Sequence, residues 1–181
     1  MQRVPHANPS GPLPAAQARR AGALRRLPSH SLSGEAAVLK VTAYVDGASR
    51  GNPGPAGYGV YMTTDSGDII EVSGYLGTTT NNVAEYSGLL EALSIARAEG
   101  ATDVEIISDS LLLVNQMLGK FRVKHENLIP LYKKARGLAS YFPNFSIRHT
   151  LRAGNKEADR LANLAVDRGE GRFVERHRDD L

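Results

Sequence analysis

The chain's 181 residues are enough for one well-packed domain plus a tail and too few for two typical domains. The absence of cysteine excludes a disulfide framework, a thiolate metal site and a cysteine nucleophile, and is compatible with a reducing, cytoplasmic location. No apolar run approaches the ~18–20 residues needed to cross a bilayer, so no membrane partner is expected.

The net charge of +3 is uneven. Residues 1–38 carry Arg3, Arg19, Arg20, Arg25 and Arg26 against Glu35 alone, a local charge of +4 that leaves the remainder at −1. A near-neutral body argues against holding nucleic acid through a broad basic surface, which depends on many phosphate contacts. Such a partner has to be gripped locally. The same 38 residues are rich in Pro, Ala, Ser and Arg and contain no aromatic residue, so they are expected to be a disordered tail. A targeting segment, a weak nucleic-acid tether and a simple extension all remain open for it.

From residue 41 the pattern is orderly. VTAYV (41–45) has the β-branched and aromatic residues of a strand and runs directly into Asp46, followed by Gly47, Gly51, Gly54, Gly57 and Gly59. This is either a hairpin loop with a solvated aspartate or a carboxylate placed where the backbone turns sharply and another molecule can approach. Strands at 57–64 and 69–76 continue an antiparallel meander. Residues 81–100 then change period, with Val83, Tyr86, Leu89, Leu90, Leu93 and Ala96 on one helical face. A strand at 103–108, a short helix at 110–118 begun by Asp109 or Ser110, and a helix at 127–141 with Pro130 in its first turn follow. Pro143 breaks the chain, NFSIRH (144–149) alternates as a strand, and 155–168 is an amphipathic helix. The order βββαβααβα predicts a single α/β domain over 39–170. Its mixed, five-stranded sheet has three antiparallel strands, then αβ units joined by right-handed crossovers, with helices flanking it. Residues 171–181 read as a short polar tail.

In that topology Asp46 and Asp109 fall at the carboxyl ends of strands, where ligands of open α/β sheets collect. Glu85 and Asp159 sit early in helices. Four close carboxylates either bind a hard divalent cation or take up protons. Each acid also has a local reading: Glu85 as a first-turn acid behind an Asn81 N-cap, Asp109 as an N-cap, Asp159 as a solvated acid beside Arg or Lys.

Four blocks in this order, DGASRGNPG (46–54), TNNVAEY (80–86), ISDS (107–110) and NKEADRLANLA (155–165), resemble the ribonuclease H type 1 family over about residues 40–168. The resemblance implies the RNase H-like fold and hydrolysis of the RNA strand of an RNA/DNA hybrid with two Mg²⁺ or Mn²⁺ ions and no organic cofactor. The family's four metal-binding acids fall on Asp46, Glu85, Asp109 and Asp159. Asp46 is expected to bridge the ions, Asp159 to favour the nucleophile side, and Glu85 with Asp109 the leaving-group side, giving 5′-phosphate and 3′-hydroxyl ends. Two ions about 4 Å apart suit such an in-line displacement. The resemblance also implies hybrid contacts from Asn52 and the backbone of Gly47, Ala48 and Ser49 to the 2′-hydroxyls, and from Asn81, Asn82 and Ser110.

The chain departs from the family's best-known bacterial members. Their mobile-loop histidine has two counterparts here: His149 ends a strand, whereas Arg152 stands where the shorter, archaeal-like branch carries arginine. Between Leu118 and Leu128 only GKFRVKHEN replaces the basic protrusion that grips the DNA strand, and Leu111 stands where a polar residue often follows the Asp-Ser pair. A binding module with little turnover and a DNA junction resolvase are the alternative functions. Oligomeric state is not legible in the sequence.

Overall fold

The computed structural model describes residues 37–179. The tail expected to be disordered lies, apart from its last two residues, outside the described residues. Ten elements and one 3-10 turn (Arg152–Gly154) follow: β1 (Lys40–Ser49), β2 (Gly54–Thr64), β3 (Asp68–Thr79), α1 (Asn81–Ala98), β4 (Asp103–Ser108), α2 (Leu111–Met117), α3 (Ile129–Ala139), β5 (Asn144–His149), α4 (Lys156–Arg168) and β6 (Arg172–Arg178).

The sheet runs β5-β4-β1-β2-β3-β6. The meander β1–β2–β3 is antiparallel, while β4 joins β1 and β5 joins β4 in parallel. Five of these strands match the expected order. The sixth corrects both the five-stranded sheet and the polar tail: Arg172–Arg178 pairs antiparallel with β3 from Asp68↔Arg178 to Gly74↔Arg172. Every β6 side chain is exposed. Its pairing is therefore a matter of backbone hydrogen bonds, which the side-chain pattern does not report.

Register fixes which helix lies on which face. Gly47 pairs with Tyr58 and Asp46 with Gly59, so these two pairs face opposite ways. A Cβ on Gly47 would overlap the backbone of α1, and one on Gly59 would overlap α4 at Ala158 and Ala162. The α1 face holds the main core, in which Val41, Ala43, Val45, Val60 and Met62 pack against Leu89, Ala92, Leu93 and Ala96, with Leu113, Val114 and Ala135 beyond. On the other face α4 buries Ala158, Leu161, Ala162, Ala165 and Val166. Small residues at these contacts let both helices approach the strand ends closely, and those helices carry Glu85 and Asp159.

One cap differs from expectation, and another decides between two expected residues. Thr80, not Asn81, is the N-cap of α1, its hydroxyl accepting the Val83 amide at 3.3 Å. Of the two candidates for the start of α2, Ser110 rather than Asp109 caps it, by accepting the Leu113 amide at 3.2 Å. In both places a hydroxyl satisfies the orphaned amide, and Asp109 is left free of a capping role.

Candidate active site

Asp46 lies within β1 rather than at its end, since Gly47, Ala48 and Ser49 continue the ladder opposite Tyr58, Gly57 and Ala56. Val45 is level with Ser108, so the next residue on each strand, Asp46 and Asp109, come side by side where β4 stops. Gly47 admits the first turns of α1 and thereby brings Glu85 to the same place. One carboxylate oxygen from each of Asp46, Glu85 and Asp109 lies within 4.8 Å of the other two. Asp159, in the first turn of α4, completes the wall of a cleft of about 420 Å³. Gly47, Ala48, Ser49, Arg50, Asn81, Ser110, Arg152 and Asn163 line the rest of it.

The electrostatics of the cleft are those of crowded, dry carboxylates. Asp46 is 5% exposed, and its carboxyl is pushed up to about 7. Burial is the main cause, followed by the charge of Asp109 and then that of Asp159, against a hydrogen bond from the Gly47 amide at 2.9 Å that favours the ionised form. Glu85, equally buried, is raised well above the carboxylate range by desolvation, then by Asp46 and Asp109. Its Oε2 is buried without a hydrogen-bond partner. An orphaned carboxylate oxygen within a trio of converging hard donors is what a divalent cation with oxygen ligands would satisfy, so the donor set fits Mg²⁺ or Mn²⁺.

The structure separates the other expected contacts. Asn81 and Ser110 line the acidic cleft with the 47–49 backbone. Asn52 stands outside that wall and is tied to it, its Oδ1 accepting the Asn81 amide at 3.1 Å. Asn82 lines a narrow crevice against Tyr86, Ser110 and Gln116 instead. Arg152 reaches the cleft, its guanidinium 3.6 Å from Asp159 Oδ1 with the side chain 82% exposed. His149 ends β5 and hydrogen-bonds the backbone carbonyl of Asp109 through Nε2 at 3.2 Å. Residues 119–127 are a mostly exposed connection from α2 to α3 without a helix of their own.

A family model described as reverse transcriptase-like matches residues 44–165, about two thirds of the chain, and spans all four acids. The chain belongs to the reverse-transcriptase-like, ribonuclease H type 1 family. The RNase H domain of protein Rv2228c from Mycobacterium tuberculosis is similar at 46% identity, covering 72% of this chain and 96% of that structure with a TM-score of 0.69. The RNase H1 of Halobacterium salinarum is similar at 42% identity, covering 71% and 98%, with a TM-score of 0.68. LC11-RNase H1, solved in complex with an RNA/DNA hybrid, is 40% identical over 71% of this chain and 97% of that one, TM-score 0.66. The match spans 36% of the full Mycobacterium tuberculosis protein and 65% of the Halobacterium ribonuclease HI. No helix among the described residues is long and apolar enough to cross a membrane.

Arg50 and Asn163 in this RNase H domain's cleft, and the buried Asn155 at the start of α4, were not found by sequence reasoning. Arg50 sits in the glycine-rich turn, and Asn155 and Asn163 lie in the fourth block. Arg50 lines the cleft and pairs with Asp167 at 2.7 Å. Asn163 lines it too and holds the Asp159 carbonyl through Nδ2 at 2.9 Å. Their contacts are to groups distant in sequence or to backbone, and only their presence inside the family blocks marks them.

Proposed function

We propose that this domain is an endoribonuclease that hydrolyses the RNA strand of RNA/DNA hybrids, with Asp46, Glu85, Asp109 and Asp159 holding two Mg²⁺ or Mn²⁺ ions. The single observation that carries the reading is the convergence of three acids from β1, α1 and the end of β4 within 4.8 Å, with Asp159 on the same cleft. Bound divalent cations supply Lewis acidity at the phosphodiester and a nucleophile from water at neutral pH, leaving 5′-phosphate and 3′-hydroxyl ends.

The chain's own residues divide the remaining work. Asp46 is central, because the charges of both Asp109 and Asp159 act on its carboxylate. The open backbone of Gly47, Ala48 and Ser49, with Ser110 and Asn81 opposite, offers small groups that let a sugar edge come close and read its 2′-hydroxyl. Asn52 spends its side-chain oxygen on Asn81, leaving its Nδ2 to donate to the RNA strand. Asn82, in the neighbouring crevice, is a further hybrid contact. Arg152 is an exposed cation at the mouth that neutralises Asp159 between turnovers and approaches phosphate during them.

The experiment is cleavage of end-labelled RNA/DNA hybrid, duplex RNA, duplex DNA and a four-way junction, with Mg²⁺, Mn²⁺ or chelator. Metal-dependent cutting of the hybrid's RNA strand, lost in Asp46→Asn, is expected. Cutting of the junction alone, or tight hybrid binding without cutting, would replace this reading.

A further inference from the structure

Asn155 occupies the N-cap position of α4 and is 1% exposed. Asparagine is favoured at that position because its side-chain oxygen accepts an orphaned amide of the first turn. Asn155 makes no such bond. Its Nδ2 instead donates across the fold to the Val45 carbonyl at 2.9 Å, while its Oδ1 is buried without a partner. A buried amide oxygen without a hydrogen bond costs stability, so this side chain forgoes both a local cap and one of its own hydrogen bonds in keeping the link to β1. One end of the link adjoins Asp46 in the chain. The other is one helical turn from Asp159, whose amide donates to the Asn155 carbonyl at 3.0 Å.

We propose that Asn155 is a positioning residue that fixes Asp159 relative to Asp46, and thereby sets the affinity of the acidic cleft for divalent cations. The inference rests on the reading of that cleft as a cation-holding nuclease site. Val45 and Asn155 are 110 positions apart in sequence, so packing and directional bonds alone determine how their neighbouring acids meet. The contact of Gly59 with Ala158 and Ala162 sets how near α4 lies to the sheet. Apolar contact is non-directional, however, and resists sliding or rotation weakly. A hydrogen bond with fixed distance and angle adds the missing constraint. It also opposes the mutual repulsion of Asp46 and Asp159, which would otherwise push the helix outward.

Asn155→Ser separates positioning from folding. Serine is a strong N-cap, so α4 can recover a cap bond, while the shorter side chain no longer reaches Val45. In the full chain, calorimetric titration with MnCl₂ is expected to show a loss of affinity of about tenfold, the lower end for groups that orient metal ligands. Melting in chelator is expected at the wild-type temperature. Hybrid cleavage should lose kcat more than it gains in KM. Val166→Ala, about three turns further along the same helix, is the control: it should melt earlier with Mn²⁺ affinity unchanged. Wild-type Mn²⁺ affinity in Asn155→Ser, or an equal loss in Val166→Ala, overturns the proposal. If Asn155→Ser does not fold, Asn155→Thr is measured by the same criteria. A wild type that binds Mn²⁺ but cuts no hybrid defeats the nuclease reading, and the titrations still decide the role of Asn155. A wild type that binds no Mn²⁺ defeats both.

Discussion

Gly47 and Glu85 meet backbone to backbone: a Cβ on Gly47 would overlap the amide nitrogen of Glu85 and press on Ala84. The glycine after the first acid is thus the seat of the helix that brings the second, and the need is for space rather than an unusual backbone angle. Gly47→Ala is expected to force α1 away from β1, costing ~1–3 kcal/mol of stability as other overpacked sites do. It should also weaken Mn²⁺ binding, because Glu85 moves with the helix. Denaturant unfolding with and without MnCl₂ checks both, and an alanine variant of wild-type stability and metal affinity would refute the contact.

The raised carboxyls of Asp46 and Glu85 carry a signed pH dependence. The folded-state value of Asp46, about 7, exceeds its ordinary 3.8, so between these limits the native state holds a proton that the unfolded chain has released. Stability of the metal-free protein therefore falls as pH rises from about 4 to above 7, and Glu85 acts in the same direction. Divalent cations compete with those protons. Mg²⁺ or Mn²⁺ is expected to raise the melting temperature more at pH 8 than at pH 5. Asp46→Asn, lacking the buried charge, should melt higher than wild type in chelator at pH 8 and gain little from metal. Scanning calorimetry across pH measures all three.

Much of this site was legible in the residues because its parts are local. The β-branched run into Asp46, the helical period behind Glu85 and the breaks after Gly100 and Gly119 each announce themselves within a few positions. What escaped is made of long-range backbone bonds. Strand β6 keeps every side chain exposed and is recruited by the edge of β3, so RFVERHR shows no buried face to read. Asn155 bonds a carbonyl 110 positions away, and a fourth-block asparagine at a helix start is most economically read as a cap. The Thr80 cap lies one residue before the expected Asn81, and Ser110 rather than Asp109 opens α2, choices that depend on backbone angles rather than on composition.

Arg50 and Arg152 are the cations of the cleft wall, each paired to an acid on α4, Asp167 at 2.7 Å and Asp159 at 3.6 Å. Both arginines are exposed, so neither should matter for folding, and alanine at either site is expected to change stability by less than ~0.5 kcal/mol. Their effect is on the hybrid. Arg50→Ala should raise KM and reduce the salt dependence of hybrid binding by about one phosphate contact. Arg152→Ala should lower turnover with little change in KM. Steady-state cleavage at several salt concentrations distinguishes the two. Unchanged salt dependence in Arg50→Ala would remove it from the substrate path.

The last strand clasps the helix that carries Glu85. Arg172 pairs with Glu91 on α1 and Arg176 with Glu99, the C-cap of that helix eight residues further on, while Arg178 reaches Asp68 on β3 at 3.1 Å. Glu91 also accepts from the Tyr58 hydroxyl at 3.1 Å, beneath α1, where burial and then the Glu91 charge push the phenol up to about 12. These arginines are half-exposed, so Arg172→Ala alone should cost less than ~1 kcal/mol. Ending the chain after Gly169 is a different perturbation. It removes the whole β3–β6 ladder together with both clasps, leaves an open edge on β3 and exposes a strand that pairs readily with other chains. The truncated domain is expected to melt several degrees lower and to aggregate on heating, while its acidic cleft still binds Mn²⁺ at low temperature, because no residue of β6 lines that cleft. Thermal melts with light scattering, paired with Mn²⁺ titration below the transition, test this. Equal loss of metal affinity and stability would mean that α1 depends on β6 for its seat against Gly47.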